Sequence, residues 1–211
     1  MDLPDPPPRA APKSAKLPLI IGGGLLLACA LCLVGIWQNE FGRAFIEGFA
    51  TGAFEKAAPA DVRQPKTHSG STCSFRYPGN WDLAPDPDFG PERAFDISAP
   101  AQGSVNIYLL PPDTHLPTMV EAMVAEFESQ PLLIQNPRRH PLRGWGSHEE
   151  AEGVELRGLM ALMPARIRVA SFATEKGAVV ICEIRFDEDE RMAKPGFDLI
   201  AESFELGEVK D

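Results

Sequence analysis

The residues of this sequence best suited to metal chemistry are histidines that stand near carboxylates. A segment with a proline and a glycine separates His140 from His148, and Glu149 and Glu150 follow directly. Imidazole and carboxylate groups bind zinc, but a helical zinc motif needs two histidines one turn apart, and this segment has no such spacing. We therefore interpret the segment as surface structure and predict no metal site.

Nucleophilic catalysis has equally little support in the sequence. No GxSxG elbow surrounds Ser71, Ser147 or Ser171. No glycine-rich phosphate loop is present either. The sequence therefore predicts no catalytic residue and no cofactor. The alternative is an envelope hydrolase or metal-dependent enzyme with an unrecognised site, which a deep pocket of convergent His, Asp or Glu side chains would favour.

The cysteines fall into two pairs. Cys29 and Cys32 have the CxxC spacing of redox and metal motifs, but they lie in an apolar run without a second pair. Cys73 and Cys182 alternate with apolar residues of candidate strands. Two interpretations of this second pair stay open: two buried free thiols, or a disulfide, which needs an oxidising compartment and Cα atoms within about 7 Å.

The segment PRRHPLRGW, residues 137–145, concentrates the residue types that are enriched at binding hot spots. Its two prolines predict a stiff loop, which would lose little entropy on binding. In one interpretation its arginines pair with acids such as Glu149 and Glu150 while the tryptophan fills the core edge. In the other the loop contacts an anionic surface, either lipid headgroups or an acidic protein partner. The candidate binding-loop residues are Arg138, Arg139, His140, Arg143 and Trp145.

The charge of the chain narrows the class of partner. The formal net charge is −10. Residues 61–211 carry 15 basic and 25 acidic side chains, so the excess belongs to this part of the chain. Binding to nucleic acid is driven by neutralisation of phosphates, so we expect no nucleic-acid partner.

Residues 17–37 form a run of 21 uncharged residues. As a helix this run would be about 31 Å long, which matches the hydrocarbon core of a bilayer. Basic residues precede it, so the N-terminus is expected in the cytoplasm and the C-terminal domain in the periplasm or outside the cell. The run is too long for an ordinary cleaved signal peptide. We predict a single-pass anchor in the cytoplasmic membrane; the alternative is a lipoprotein acylated at Cys29, since LLAC resembles a lipobox.

Composition divides the chain into four parts around this anchor. Proline-rich sequence cannot build a core, and phenylalanines at four-residue spacing after the anchor indicate an amphipathic helix. The predicted parts are a disordered cytoplasmic tail (1–16), the transmembrane helix (17–37), a juxtamembrane helix and linker (38–68) and an extracytoplasmic domain (69–211).

Alternating apolar residues predict most of the elements that must position the candidate residues. A Pro78-Gly79 turn separates the first two strands and returns Trp81 toward the core. Helical spacing begins at Leu116. The order ββββ-α-ββββ-α indicates an α+β domain, an antiparallel sheet with flanking helices. The predicted strands are Cys73–Tyr77, Trp81–Leu83, Ala94–Ala99, Ser104–Leu110, Leu132–Gln135, Gly153–Leu162, Arg166–Thr174 and Ala178–Phe186, and the last helix is interrupted near Pro195-Gly196.

Two short motifs carry a resemblance to a known family. The string Phe75-x-Tyr77-Pro78-x-x-Trp81 and the closing Ile200-Ala201-Glu202-Ser203-Phe204 resemble PsbP-like domains over residues about 70–206. That superfamily also contains Ran-binding nuclear-import factors and bacterial envelope lipoproteins. The resemblance implies an α/β/α sandwich that serves as a binding or assembly module and has no shared active site. We therefore expect a membrane-anchored extracytoplasmic binding or assembly module of the cell envelope, with a protein partner.

Overall fold

The computed structural model describes residues 58–86, 89–100, 103–130 and 133–209. Within these ranges no helix has the length and apolar character needed to span a membrane. The predicted anchor at 17–37, the tail before it, the juxtamembrane helix and Cys29 lie outside them. The elements are β1 (Lys66–Ser69), β2 (Cys73–Tyr77), β3 (Asp82–Pro85), β4 (Ala94–Ser98), β5 (Ser104–Leu110), α1 (Leu116–Ser129), β6 (Gln135–Trp145), β7 (His148–Met160), β8 (Met163–Thr174), β9 (Gly177–Phe186), α2 (Glu190–Ser203) and β10 (Glu205–Leu206).

The strands form two antiparallel sheets. The larger sheet has seven strands in the order β3-β4-β5-β9-β8-β7-β6. The smaller sheet has three strands in the order β1-β2-β10. Strands β6 to β9 follow one another as a meander, and α1 carries the chain from β5 to β6 at the far edge, so that β9 returns beside β5.

Two hydrophobic cores lie on opposite faces of the seven-stranded sheet. Helix α1 covers one face, where Val124, Leu156 and Ile167 are completely buried. Helix α2 and the small sheet cover part of the other face. The residues of this second core include Phe75, Trp81, Ile107, Trp145, Ile181, Phe197 and Ile200. The α+β class and the antiparallel sheet with flanking helices are thus confirmed.

The Pro78-Gly79 turn brings Trp81 back into the second core. The Trp81 backbone N–H donates to the carbonyl oxygen of Pro78 at 3.0 Å, and the ring then returns into the second core, where it is 1% exposed. The ring meets Phe197 edge to face at 5.1 Å between centroids. It also lies so close to Gly196 that a Cβ atom there would be 2.6 Å away. The glycine is therefore required by packing.

Helix α2 continues through Pro195, where the sequence predicts an interruption. A proline inside a helix removes one backbone hydrogen bond and often breaks the helix. Here Gly196, Phe197 and Ile200 are buried on the helix face that meets the second core. Burial of this face outweighs the missing bond.

The ordered domain begins before residue 69, the start that composition predicts. Strand β1 begins within the predicted linker, at Lys66, and pairs with β2. The Ala60 N–H also donates to the Met192 carbonyl oxygen at 3.0 Å. The polar sequence KTHS has no apolar alternation, so its strand structure arises from pairing with a neighbouring edge and not from its own pattern.

The prediction that residues 137–145 form a loop is wrong, because they belong to strand β6. Among the described strands, this one is the outer edge of the seven-stranded sheet and pairs only with β7. Prolines are tolerated on an edge strand, where only one side of the backbone forms ladder bonds. Irregular register near Asn136 and Gly144, which have φ values of 52° and 72°, bends the strand at both ends.

Candidate functional site

The register of four neighbouring strands places four arginines side by side. Arg138 of β6 is paired with Arg157 of β7, Arg157 with Arg166 of β8, and Arg166 with Arg185 of β9. Residues paired across strands point to the same face of a sheet. This is the face opposite α1, because the row next to it contains Glu183, which contacts Trp145 of the second core.

A second row of polar residues runs beside the first. The same registers align His140, Glu155, Arg168 and Glu183 across the four strands. The acids of this row therefore lie diagonally between the arginines of the first row. We call the two rows together the arginine face, made of Arg138, Arg157, Arg166, Arg185, His140, Glu155, Arg168 and Glu183.

Glu183 is the buried centre of the arginine face, with 1% of its surface exposed. Its carboxylate accepts hydrogen bonds from Arg168 Nη1 at 2.9 Å and from Trp145 Nε1 at 2.7 Å. Arg185 Nη2 lies 2.8 Å from the same carboxylate. A buried charge is tolerated when it is paired and hydrogen-bonded in this way. Glu183 therefore holds two guanidinium groups and the indole in place.

The outer arginines are also paired, but nearer to solvent. Glu155 forms ion pairs with Arg157 and, at 3.6 Å, with Arg168. Arg166 Nε donates to Asp187 Oδ1 at 2.8 Å. Burial opposes the charged form of Arg166, yet its hydrogen bond to Asp187 and the nearby acids leave the pKa of Arg166 raised. These guanidinium groups are therefore charged and held in position.

Arg138 stands at the exposed end of the arginine face. Within the described part of the chain it has no carboxylate at ion-pair distance. Beside it lies a cavity of about 500 Å³. The polar side chains that line this cavity belong to Gln135, Asn136, Arg138, Arg157, Arg166 and Asp187. The arrangement presents several guanidinium groups to one concave space, which is chemistry suited to an oxyanion.

The residues of the predicted loop are divided between the two faces of β6. Arg138 and His140 belong to the arginine face, whereas Arg139 is paired with Leu156 and points toward α1. Arg139 donates there to Glu121 at 2.8 Å and to Glu128. The hydrogen bond from Arg139 holds the pKa of Glu128 below its usual value. The partners of Arg139 are thus acids of α1, and not the Glu149 and Glu150 suggested by sequence proximity.

The two remaining loop residues also separate. Arg143 is exposed and is paired across the strands with Glu152, on the α1 side. Trp145 is 2% exposed and lies in the second core against Phe172 and Phe204. The tryptophan therefore fills the core, as one of the two interpretations expects, and its indole N–H reaches Glu183.

The histidine segment does not assemble a metal site in the structure. The His148 ring stacks on Phe172 at 4.1 Å between centroids, and one ring nitrogen lies 3.2 Å from the Phe204 carbonyl oxygen. Its other nitrogen lies 3.2 Å from Glu150. Among the residues that the structure describes, no group of three or more His, Cys, Asp or Glu side chains could hold a metal ion.

A second cavity, of about 580 Å³, opens on the α1 side of the sheet. Its lining includes Leu116, Val120 and Val154, with Arg143 and acidic side chains also present. Ser171 lines it as well, but the hydroxyl of Ser171 donates to the Glu152 carbonyl oxygen at 3.5 Å. Within the described residues Ser171 forms no hydrogen bond with a histidine, so the Ser–His pair of a nucleophilic site is not seen there.

The disulfide alternative is wrong, because Cys73 and Cys182 are free and buried. Cys73 belongs to the core beneath the small sheet, and Cys182 to the core beneath α1 on the other face of the large sheet. Strand alternation predicts that each thiol is buried, but not that the sheet separates them. Burial raises the pKa of each thiol to about 12.

Most of the arginine face was not predicted from the sequence. The missed residues are Glu155, Arg157, Arg166, Arg168, Glu183 and Arg185. A signal was nevertheless present, since three consecutive strands carry the charged–apolar–charged triplets ELR, RIR and EIR. In a strand each triplet places two charges on one face and an apolar residue on the other. Three such triplets in a meander predict a charged sheet face.

No family model and no curated protein sequence matches the chain. Solved structures are similar at low identity. The cyanobacterial PsbP of Synechocystis sp. PCC 6803 is 14% identical, with 73% of this chain and 99% of that chain covered and a TM-score of 0.42. LpqN of Mycobacterium tuberculosis, involved in cell envelope biogenesis, is 14% identical, with 68% and 91% covered and a TM-score of 0.40. The Ran-binding protein Mog1p of Saccharomyces cerevisiae is 12% identical, with 69% and 96% covered and a TM-score of 0.42.

Similarity at this level assigns no partner and no activity to the chain.

Proposed function

We propose that this chain is a binding module of the cell envelope, tethered to the membrane by residues 17–37, which docks a protein partner on its arginine face. One observation carries the proposal. Arg138, Arg157 and Arg166 lie in register around a cavity, in a part of the chain where acids outnumber bases.

The arginine row is costly to the fold, which supports a role beyond folding. Like charges directly opposite each other in a sheet are destabilising, each pair by up to about 1 kcal/mol. Glu155 and Glu183 offset this repulsion from the neighbouring row. Uncharged polar residues at the same positions would need no such compensation. A surface that recognises a partner through guanidinium groups accounts for the arrangement.

Preorganisation also supports binding. Arg168 and Arg185 are held from below by the buried Glu183, and Arg166 is held by Asp187. Side chains that are already fixed lose less conformational entropy when a partner arrives. Arginine is also one of the residue types enriched at binding hot spots.

The membrane tether follows from the sequence alone. The uncharged run at 17–37 is long enough to cross a bilayer, and Arg9, Lys13 and Lys16 precede it. The N-terminus is then cytoplasmic and the domain extracytoplasmic. A reporter fused after Asp211 that is active only in the cytoplasm would contradict this orientation.

Photocrosslinking in intact cells tests the docking face. A photoreactive residue replaces His140, which is exposed on the arginine face, or Ala125, which is exposed on α1. We expect a discrete protein adduct from position 140 and none from position 125. Adducts from position 125 alone, or equal adducts from both positions, would reject the arginine face as the docking surface.

A further inference from the structure

Four of the five arginines of the arginine face share one chemical feature, which is a carboxylate partner from the chain itself. Arg157 pairs with Glu155, and Arg166 pairs with Asp187. Arg168 and Arg185 both pair with Glu183. Arg138 differs, because the described ranges offer it no carboxylate at ion-pair distance. Each arginine of the arginine face except the exposed Arg138 therefore has a carboxylate partner in the described ranges.

The net charge of the arginines and their paired acids also singles out Arg138. The arginines are Arg138, Arg157, Arg166, Arg168 and Arg185, and the carboxylates that pair with them are Glu155, Glu183, Asp187 and Glu190. One positive charge is left over. A single carboxylate would balance it, whereas a phosphate monoester carries about −1.5 to −2 charges and would exceed it.

The cavity beside Arg138 has the shape and groups to accept such a carboxylate. It measures about 500 Å³, and Arg138 and Arg157 line it together with the amides of Gln135 and Asn136. Asp187 already lies in its lining with a carboxylate oxygen 2.8 Å from Arg166 Nε. A guanidinium fork binds a carboxylate through two parallel hydrogen bonds. The chain's own aspartate thus shows which ligand chemistry suits this cavity.

A protein segment fits this site better than a membrane surface. Attachment to anionic lipid typically uses clusters of about four to eight basic residues. Here one uncompensated charge lies in a concave site, within residues 61–211 that carry 25 acids against 15 bases. An anionic bilayer would be repelled by most of that surface, whereas one acidic side chain can enter the cavity.

We infer that the cavity beside Arg138 binds a carboxylate of an acidic segment of the partner protein, with Arg138 and Arg157 as its ligands. This inference rests on the proposed function, since it names the chemistry by which the arginine face recognises its partner. Binding of the carboxylate supplies the pairing that Arg138 lacks within the described residues.

Titration with a blocked hexaglutamate peptide tests the inference on the full chain in phosphatidylcholine nanodiscs. Arg138→Gln removes the charge from the arginine face, and Arg139→Gln removes the same charge one residue along, on the other face. Loss of a charge-assisted hydrogen bond weakens binding about tenfold or more. We expect that loss for Arg138→Gln and wild-type affinity for Arg139→Gln. Arg138→Lys keeps the charge without the fork, so it should bind with intermediate affinity.

The other outcomes overturn the inference. Equal peptide binding by both glutamine variants would exclude the cavity. Inorganic phosphate that binds at Arg138 more tightly than the peptide would indicate a phosphoryl ligand. Arg138-dependent attachment to phosphatidylglycerol vesicles, without peptide binding, would indicate a lipid surface. If crosslinks form at position 140 but the peptide does not bind, the inferred carboxylate ligand is wrong, while the arginine face remains the docking surface. If no crosslink forms at position 140, the proposal that the arginine face is the docking surface is itself wrong.

Discussion

The two faces of strands β6 to β9 are built from alternate residues of the same four segments, yet their chemistry is opposite. On the α1 side, Leu156, Ile167 and Val169 are completely buried in an apolar core. On the other side, most of the residues next to them in sequence are charged. These neighbours include Glu155, Arg157, Arg166 and Arg168.

The two faces differ in how much their individual residues contribute to the stability of the fold. The α1 face has an apolar centre, so truncation of a buried side chain there opens a cavity. The arginine face grades from the buried Glu183 to the exposed Arg138. Its inner end belongs to the fold, while its outer end is free to change at little cost in stability. This gradient lets one sheet face serve both structure and recognition.

The largest effect is expected at the inner end of the arginine face. Glu183→Gln removes the charge that pairs with Arg168 and Arg185, and breaking a buried ion pair costs about 3–5 kcal/mol. Urea denaturation should show this loss in the free energy of unfolding. Glu150→Gln, at an exposed acid, is the matched control and should change it little. Similar small changes in both variants would mean that Glu183 does not hold the arginine face together.

A truncation on the α1 face should lower stability without touching recognition. Ile167→Ala removes a completely buried side chain, at a cost of about 2–5 kcal/mol. Urea denaturation measures the loss. The folded protein should bind hexaglutamate with wild-type affinity, because Ile167 points away from the arginine face. Weakened binding by the folded variant would show that the two faces are coupled.

A smaller effect of opposite sign is expected at Asp96. Burial raises the pKa of this carboxyl, and Asp96 Oδ1 has no hydrogen-bond partner among the residues that the structure describes. The folded state therefore binds the proton more tightly than the unfolded state, and stability falls as pH rises from 3.8 through the raised pKa. Asp96→Asn should be more stable than wild type at pH 7 and should lose this pH slope. Lower stability at neutral pH would show that the Asp96 charge is favourably paired.

The contrast between Glu183 and Asp96 sharpens the comparison of the faces. Both are partly or wholly buried acids in the same sheet. Glu183 has three donors around it, while Asp96 Oδ2 accepts a hydrogen bond from the hydroxyl of its neighbour Ser98 at 3.3 Å. A buried charge stabilises only when it is fully paired. Opposite signs of the two substitutions would therefore separate a charge that organises its face from one that does not.

The sequence predicts the strands whose patterns are local. Ser104–Leu110 and Cys73–Tyr77 have the predicted bounds, and α1 begins at the predicted Leu116. Strand β1 was missed because its residues are polar, and β6 because its prolines indicate a loop. Both are edge strands, and pairing with a neighbour determines their structure.

The arginine face could not be derived from local patterns in the same way. Alternation places Arg166 and Arg168 on one face of their strand, but their alignment with Arg157 depends on register. A slip of one residue would send a whole strand's side chains to the opposite face. Register is set by the turns and by the pairing of both cores, which the sequence does not display directly.

In the proposed function the arginine face, and not the α1 face, meets the partner. Arg138→Glu and Arg139→Glu test it most directly, because they make the same charge reversal at adjacent residues on opposite faces. The measurement is the yield of the position 140 photocrosslink in intact cells, in variants whose unfolding curves match wild type. The account predicts that the yield collapses in Arg138→Glu and persists in Arg139→Glu. Equal yields in the two variants would contradict it.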